Sequence, residues 1–246
     1  MNFLTTLIFG TNRPGSRPRS VYQKEVIALR RIWKNRSYND FGLERILRLI
    51  LQLLSFIMPG TIIRQLCGRK HLLFRKVVIE AYPLFKISWY FFLFKMDLTT
   101  AVAALIISLI LTTDTVHFMF SKVFLNDIHQ QPISFKRTLL MTLINILEVI
   151  LCFAFIYSYI DDTNNIPGNY IFSTGHQLTD LQSIYFSFVT SATIGYGDIA
   201  PQDPLVIKLV VLQIMLSLFF LVIVITTITN RLHDDTFYNK HKETYR

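Results

Sequence analysis

The sequence predicts an all-α membrane protein, and three observations carry that prediction. Of the 246 residues 52% are hydrophobic, 21 of them Phe, and the mean hydropathy is positive. The windows 98–120, 138–160 and 205–230 are apolar, and each as a helix rising about 1.5 Å per residue is long enough for about 30 Å of hydrocarbon. Between the last two lies a polar loop that ends in a compact glycine-containing motif. The net charge of +9 is not a nucleic-acid signal here, because no recognition motif accompanies it and Lys and Arg beside apolar spans mark cytoplasmic loops and anionic lipid. Cys67 and Cys152 lie far apart without metal-type spacing, so neither a disulfide framework nor a zinc site is expected.

Met1 to Gly10 is apolar but has no basic leader and no small-residue cleavage site, so it reads as a loose interfacial anchor and not as a signal peptide. Arg13, Arg17, Arg19, Lys24, Arg30, Arg31, Lys34 and Arg36 follow, with Pro14 and Pro18 among them. By the positive-inside bias this stretch is cytoplasmic. Residues 42–58 form an amphipathic helix ended by Pro59-Gly60, with Glu44, Arg45, Arg48, Gln52 and Ser55 on one narrow stripe. Its arginines are expected to reach headgroups from an interfacial position. Arg64, Arg69, Lys70, Arg75 and Lys76 complete a basic amino-terminal region over 1–76.

Two helices, 77–94 and 98–120, make a peripheral pair over 77–120. The first span is assigned to 77–94, although 42–63 is the more apolar window. Choosing 42–63 leaves Arg64, Arg69, Lys70, Arg75, Lys76, Lys86 and Lys95 on the outer side, whereas 77–94 leaves only Lys95 there. Asp114 and His117 share a face near the inner end of the second span and read as a solvated helix end, with proton sensing as the sharper alternative. Lys122, Lys136 and Arg137 mark the loop 121–137 as inner.

The outer helix 138–160 contains one ionisable residue, Glu148, about 15 Å into the bilayer by helical rise. Lys86, counted the same way along 77–94, lies about 14 Å in. Two readings follow: an intramembrane ion pair of Lys86 with Glu148, or a protonated Glu148 hydrogen-bonded to Asn145 or another helix while Lys86 snorkels. After the polar loop, Thr179-Asp180-Leu181-Gln182 has the form of a capping box, with Asp180 at the positive end of a helix dipole. A short helix 179–192 follows, then the filter segment 193–198, then the inner helix 204–230, which Pro204 is placed to open.

The run Thr193-Ile194-Gly195-Tyr196-Gly197-Asp198 resembles the selectivity filter of the tetrameric pore-loop potassium channels, with Ile in the usual Val position. The resemblance covers 138–230, which reads as a pore domain, and it carries a function with it. Backbone carbonyls of Thr193, Ile194, Gly195 and Tyr196, with the Thr193 hydroxyl, are implied to replace the hydration shell of K+, with Gly195 and Gly197 adopting positive φ. One filter copy per chain implies a homotetramer around the symmetry axis. The negative end of the preceding helix favours a cation. Tyr196 is implied to brace the filter against neighbouring pore helices with the Thr190 hydroxyl as partner, and Tyr185 is placed to bond Asp198.

Departures from the family pattern are specific. Phe186 stands where many members carry a second hydrogen-bonding aromatic, and Val189 where some carry a carboxylate. The inner helix has no glycine hinge. Ser217, Leu221, Ile225 and Thr229 recur every four residues and read as the cavity and gate face. No span carries arginine at every third position, and 231–246 is a short cytoplasmic tail, too small for a ligand-sensing domain.

The expected function is passive potassium conduction in the cell membrane, with both termini cytoplasmic and anionic lipid as the inner partner. No cofactor is expected beyond K+ as the permeant ion, and no nucleic acid as a partner. No nucleophile and base pair, phosphate loop or metal cluster points to an enzyme. Two rivals are a potassium transporter subunit, which generally carries four degenerate repeats in one chain, and a non-conducting partner subunit, which should show a damaged filter.

Overall fold

A computed structural model of the chain describes residues 21–34, 41–67, 72–125, 135–164 and 170–233. The early basic residues up to Arg19 with Pro14 and Pro18, the anchor at Met1 to Gly10, Arg36, Arg69, Lys70, and the tail beyond His233 lie outside the described residues. Among the described residues there are helices and no strand, so the molecule is an all-α membrane protein. In order these are α1 (Val21–Lys34), α2 (Leu43–Leu54), α3 (Pro59–Cys67), α4 (Leu72–Lys95), α5 (Val102–Phe124), α6 (Phe135–Asn164), α7 (Asp180–Ser191) and α8 (Pro204–His233). By length and composition, four described segments are able to cross a membrane: Val77–Lys95, Val102–Phe124, Arg137–Asn164 and Pro204–Thr229.

The helix read over 42–58 is shorter and is followed by another. α2 stops at Leu54, and Pro59 does not end a helix but opens α3, where a missing N–H costs nothing. The axes of α2 and α3 differ by 54°. The span read from Leu98 begins at Val102, because Asp97 takes φ 48° and 98–101 forms a turn.

Two compact units divide the chain, one made of Met1–Phe85 with Thr113–Gln130 and the other of Lys86–Thr112 with Gln131–Arg246. In the first unit α1 packs on α2 and α3, and the polar stripe of α2 is turned inward. Gln52 is fully buried and donates through Nε2 to the Glu25 carboxylate at 2.6 Å, and Ser55 Oγ donates to the same carboxylate oxygen at 3.2 Å. Arg48 is buried beside Glu44, 3.7 Å away, so it does not reach outward to headgroups as the sequence suggested. Asp114 is buried too and is not a solvated helix end. Its two oxygens accept from Gly60 N and from Tyr82 Oη, each at 3.1 Å.

The second unit contains α6, α7 and α8. α6 packs on α7 and α8, and α7 packs on α8. Its core is aromatic, with Tyr157, Phe155, Phe172 and Phe220 buried. Such rings fill volume and gain from edge-to-face contact beyond their area.

Candidate functional site

The site is the loop between α6 and α8, and its construction starts at Thr179. The Thr179 side chain accepts from Gln182 N at 3.3 Å while Thr179 N donates to Gln182 Oε1 at 2.9 Å, a reciprocal box that satisfies two orphan donors and fixes where α7 starts. Just upstream, Asp161 Oδ2 accepts from Leu178 N at 2.6 Å and ties the entry to the end of α6. α7 then runs to Ser191 and stops with Ala192 as its C-cap.

Beyond the cap the backbone changes hand at every second residue. Thr193, Gly195 and Gly197 have φ of 55°, 61° and 81°, while Ile194 and Tyr196 are not in the positive region. An ordinary strand alternates its carbonyls; left-handed residues at alternate positions cancel that alternation and turn successive carbonyls to one side. The two glycines adopt this conformation freely, whereas Thr193 does so against its own preference. It is held by Thr193 N donating to Thr190 O and Ile194 N to Val189 O, each at 3.0 Å. The Thr193 hydroxyl donates to Ala192 O at 2.7 Å.

The far end of the segment is strapped back. Ser173 N donates to Ala200 O at 2.9 Å and Gln202 N to Ile171 O at 2.8 Å, with Phe172 bridged to Pro201. Tyr185 Oη donates to Asp198 Oδ2 at 2.8 Å. That bond to a carboxylate raises the Tyr185 pKa, so at neutral pH the phenol keeps the proton it donates. Asp203 Oδ1 accepts from Leu205 N at 2.7 Å and from Val206 N at 3.2 Å, so it caps α8.

Phe186 has a packing role. Its ring meets Tyr157 at 5.0 Å and Phe172 at 5.3 Å, both edge-on. An apolar ring in this triangle supports the loop by contact where a hydrogen-bonding one would need a partner.

Sequence reasoning missed the polar hub behind α7. Gln213 of α8 is 1% exposed. Its Oε1 accepts from Tyr157 Oη of α6 at 2.6 Å, and its Nε2 lies 2.8 Å from Ser187 Oγ, 2.9 Å from Ser187 O and 2.6 Å from Ser191 Oγ of α7. Ser187 Oγ in turn donates to Ile150 O at 2.7 Å. One amide therefore ties three helices. The signal was available in the sequence, because an amide inside an apolar span is costly unless it has partners.

The remaining candidate residues separate. Thr190 is buried, while Tyr196 and Ile194 are 68% and 53% exposed in the single chain. On α8, Val206, Gln213, Phe220 and Ile223 are buried, and Leu221 and Ile225 are exposed. Thr229 donates to Ile225 O of its own helix at 3.0 Å, and Ser217 is half-buried.

Glu148 and Lys86 are both fully buried in the second unit. Glu148 Oε1 accepts from Thr112 Oγ1 at 3.0 Å and from Tyr90 Oη at 3.4 Å, and Lys86 Nζ donates to Leu111 O at 3.4 Å. Lys86 and Tyr90 are one turn apart on α4, so both face one polar patch.

No curated protein and no solved structure matches the chain. The ion channel family model matches residues 145–234, which contain most of α6, all of α7, the segment 193–198 and α8, and this match supports an ion-channel pore domain in that part of the chain.

Proposed function

We propose that the protein is a potassium-selective channel that conducts passively through a homotetramer. The observation that carries this reading is the alternation of positive φ at Thr193, Gly195 and Gly197 within Thr-Ile-Gly-Tyr-Gly-Asp, directly after the carboxyl end of α7. Carbonyls of Thr193, Ile194, Gly195 and Tyr196 would form successive ion sites, and four copies around one axis would close each ring. The exposure of Tyr196 and Ile194 in one chain fits side chains that await neighbouring chains. α6 and α8 are the outer and inner helices of the pore domain, with Ser217, Leu221, Ile225 and Thr229 as the cavity and gate face. Both termini lie in the cytoplasm, where the basic amino-terminal region meets anionic lipid at about 1 kcal/mol per well-placed Lys or Arg.

Reconstitution tests this reading. Vesicles holding the purified protein should pass potassium down its gradient, and chemical crosslinking should saturate at four copies. Dimers as the end point, or vesicles no leakier than empty ones under every voltage and pH applied, would remove it.

The Lys86 and Glu148 pair belongs to the same reading. If their charges act on one another inside the bilayer, Lys86→Met and Glu148→Leu should each destabilise the protein by about 3 to 5 kcal/mol, and the double variant should recover much of that loss. Additive losses in a thermal-unfolding cycle would show the two to be independent.

A further inference from the structure

We infer that α2 and α3 form a re-entrant membrane element whose outward face lies in the hydrocarbon of the bilayer. The inference rests on reading α5 as a membrane span, and it departs from a helix lying flat on the surface.

α2 is inside-out for a helix in water. Its polar residues Arg48 and Gln52, with Ser55 just beyond, are buried, while Leu43, Ile46, Ile50, Leu53 and Ile57 recur along one exposed stripe. Ile62 and Leu66 continue it on α3, one turn apart. An apolar strip of this length without a cover is the mark of a surface made for a nonaqueous neighbour.

Depth is fixed by three contacts with α5. The middle of α2 packs through Leu47 and Leu49 on a cluster of Ile32, Leu51 and Leu125, against which Phe120 and Phe124 from the end of α5 also pack. Leu51 O is bonded by His117 Nε2 at 2.9 Å, which by helical rise is about 10 Å back from Phe124. Gly60 N is bonded by Asp114 at 3.1 Å, which is about 15 Å back. Across about 30 Å of hydrocarbon, the bend therefore reaches about half-way in.

The chain also leaves on the side where it entered. Tyr82 shares Asp114 with Gly60. α4 runs antiparallel to α5, since Tyr82 meets Asp114 and Lys86 meets Leu111. Its start at Leu72, ten residues before Tyr82, is thus about 15 Å back toward the Phe124 end. A segment that crossed completely would need α4 to begin at the opposite end.

Charge complements this arrangement. Arg45 Nη2 donates to Trp33 O at 3.0 Å, so the end of α1 lies beside the entry of α2. Exposed Arg30, Arg31 and Lys34 therefore stand at the entry, where phosphate headgroups would be. Lys24, about two turns further in, has a stem long enough to bring its ammonium back toward that level.

Both ends of the break are held by α5: Asp114 accepts at the amino end of α3, and His117 meets a carbonyl of the last turn of α2. The test places nitroxide labels singly at Ile46, Ile50, Leu53 and Ile57 of the full chain, with Cys67 and Cys152 replaced by Ala, in vesicles of phosphatidylcholine and phosphatidylglycerol. Oxygen should relax these labels more than a water-soluble nickel chelate does, with depth increasing from Ile46 to Ile57. A label at Arg31 should show the reverse. Asp114→Ala should bring the Ile57 label back toward the headgroups. As a second reading that needs no substitution, a lipid-resident diazirine should modify the same stripe in the unaltered protein. Labels open to the chelate, labels closed to both reagents because protein covers them, or a stripe left unmodified while α5 is modified would each overturn the assignment. Potassium flux on the same vesicles separates the two claims, because aqueous labels in conducting vesicles would sink the re-entrant element alone.

Discussion

Gly195→Ala should abolish potassium current while leaving the helices folded. Gly195 has φ 61°, and the methyl group of an alanine there would meet nothing within 4 Å in the single chain. The effect therefore comes from the backbone. An L-residue in the left-handed region costs about 1 to 2 kcal/mol, and in the proposed tetramer the cost is incurred four times at one ring. The cheap escape is a return to negative φ, which turns carbonyls out of the ion path. Circular dichroism and crosslinking should match the parent protein, and single-channel recording should show no openings. Parental conductance in the variant would mean that the carbonyls of 193–197 do not line the path.

Gln213→Leu should destabilise the protein without touching the segment 193–198. Interhelical hydrogen bonds in bilayers average only about 0.6 kcal/mol, because the unfolded chain in the membrane finds partners as well. Here a single substitution removes several and leaves the buried Tyr157 hydroxyl without its acceptor, which costs about 1 to 3 kcal/mol. The sum is about 2 to 4 kcal/mol, read as a lower midpoint of thermal unfolding. Tyr157→Phe removes one arm of the same hub, so the double variant should lose less than the two singles together, by about 1 kcal/mol. Strict additivity would show that the amide does not couple α6 to α8.

The pore loop was legible because its determinants are local. A reciprocal cap needs only Thr179 and Gln182, and the alternating backbone of 193–197 needs glycines at alternate positions, so neither depends on distant packing. Thr193 escaped that logic, since a β-branched residue at φ 55° is held by carbonyls of the preceding turn and not by its own preference. The stripe of α2 was legible as a stripe, but its direction was not. Spacing groups Arg48, Gln52 and Ser55 on one face, and only the position of Glu25, thirty residues before Ser55, shows that this face points inward. Asp114 failed in the same way, because its partners Gly60 and Tyr82 are distant in sequence. For Gln213 the residue type was a signal, and the geometry that makes it a hub came from three helices at once.

The central claim is that carbonyls of Thr193 to Tyr196 select potassium, and one measurement bears on it most directly. Purified protein in a planar bilayer, with potassium on one side and sodium at equal concentration on the other, should reverse at a large voltage of the sign set by potassium and stay there as sodium is replaced by a large organic cation. Reversal near zero, with sodium and potassium carrying equal current, would contradict it.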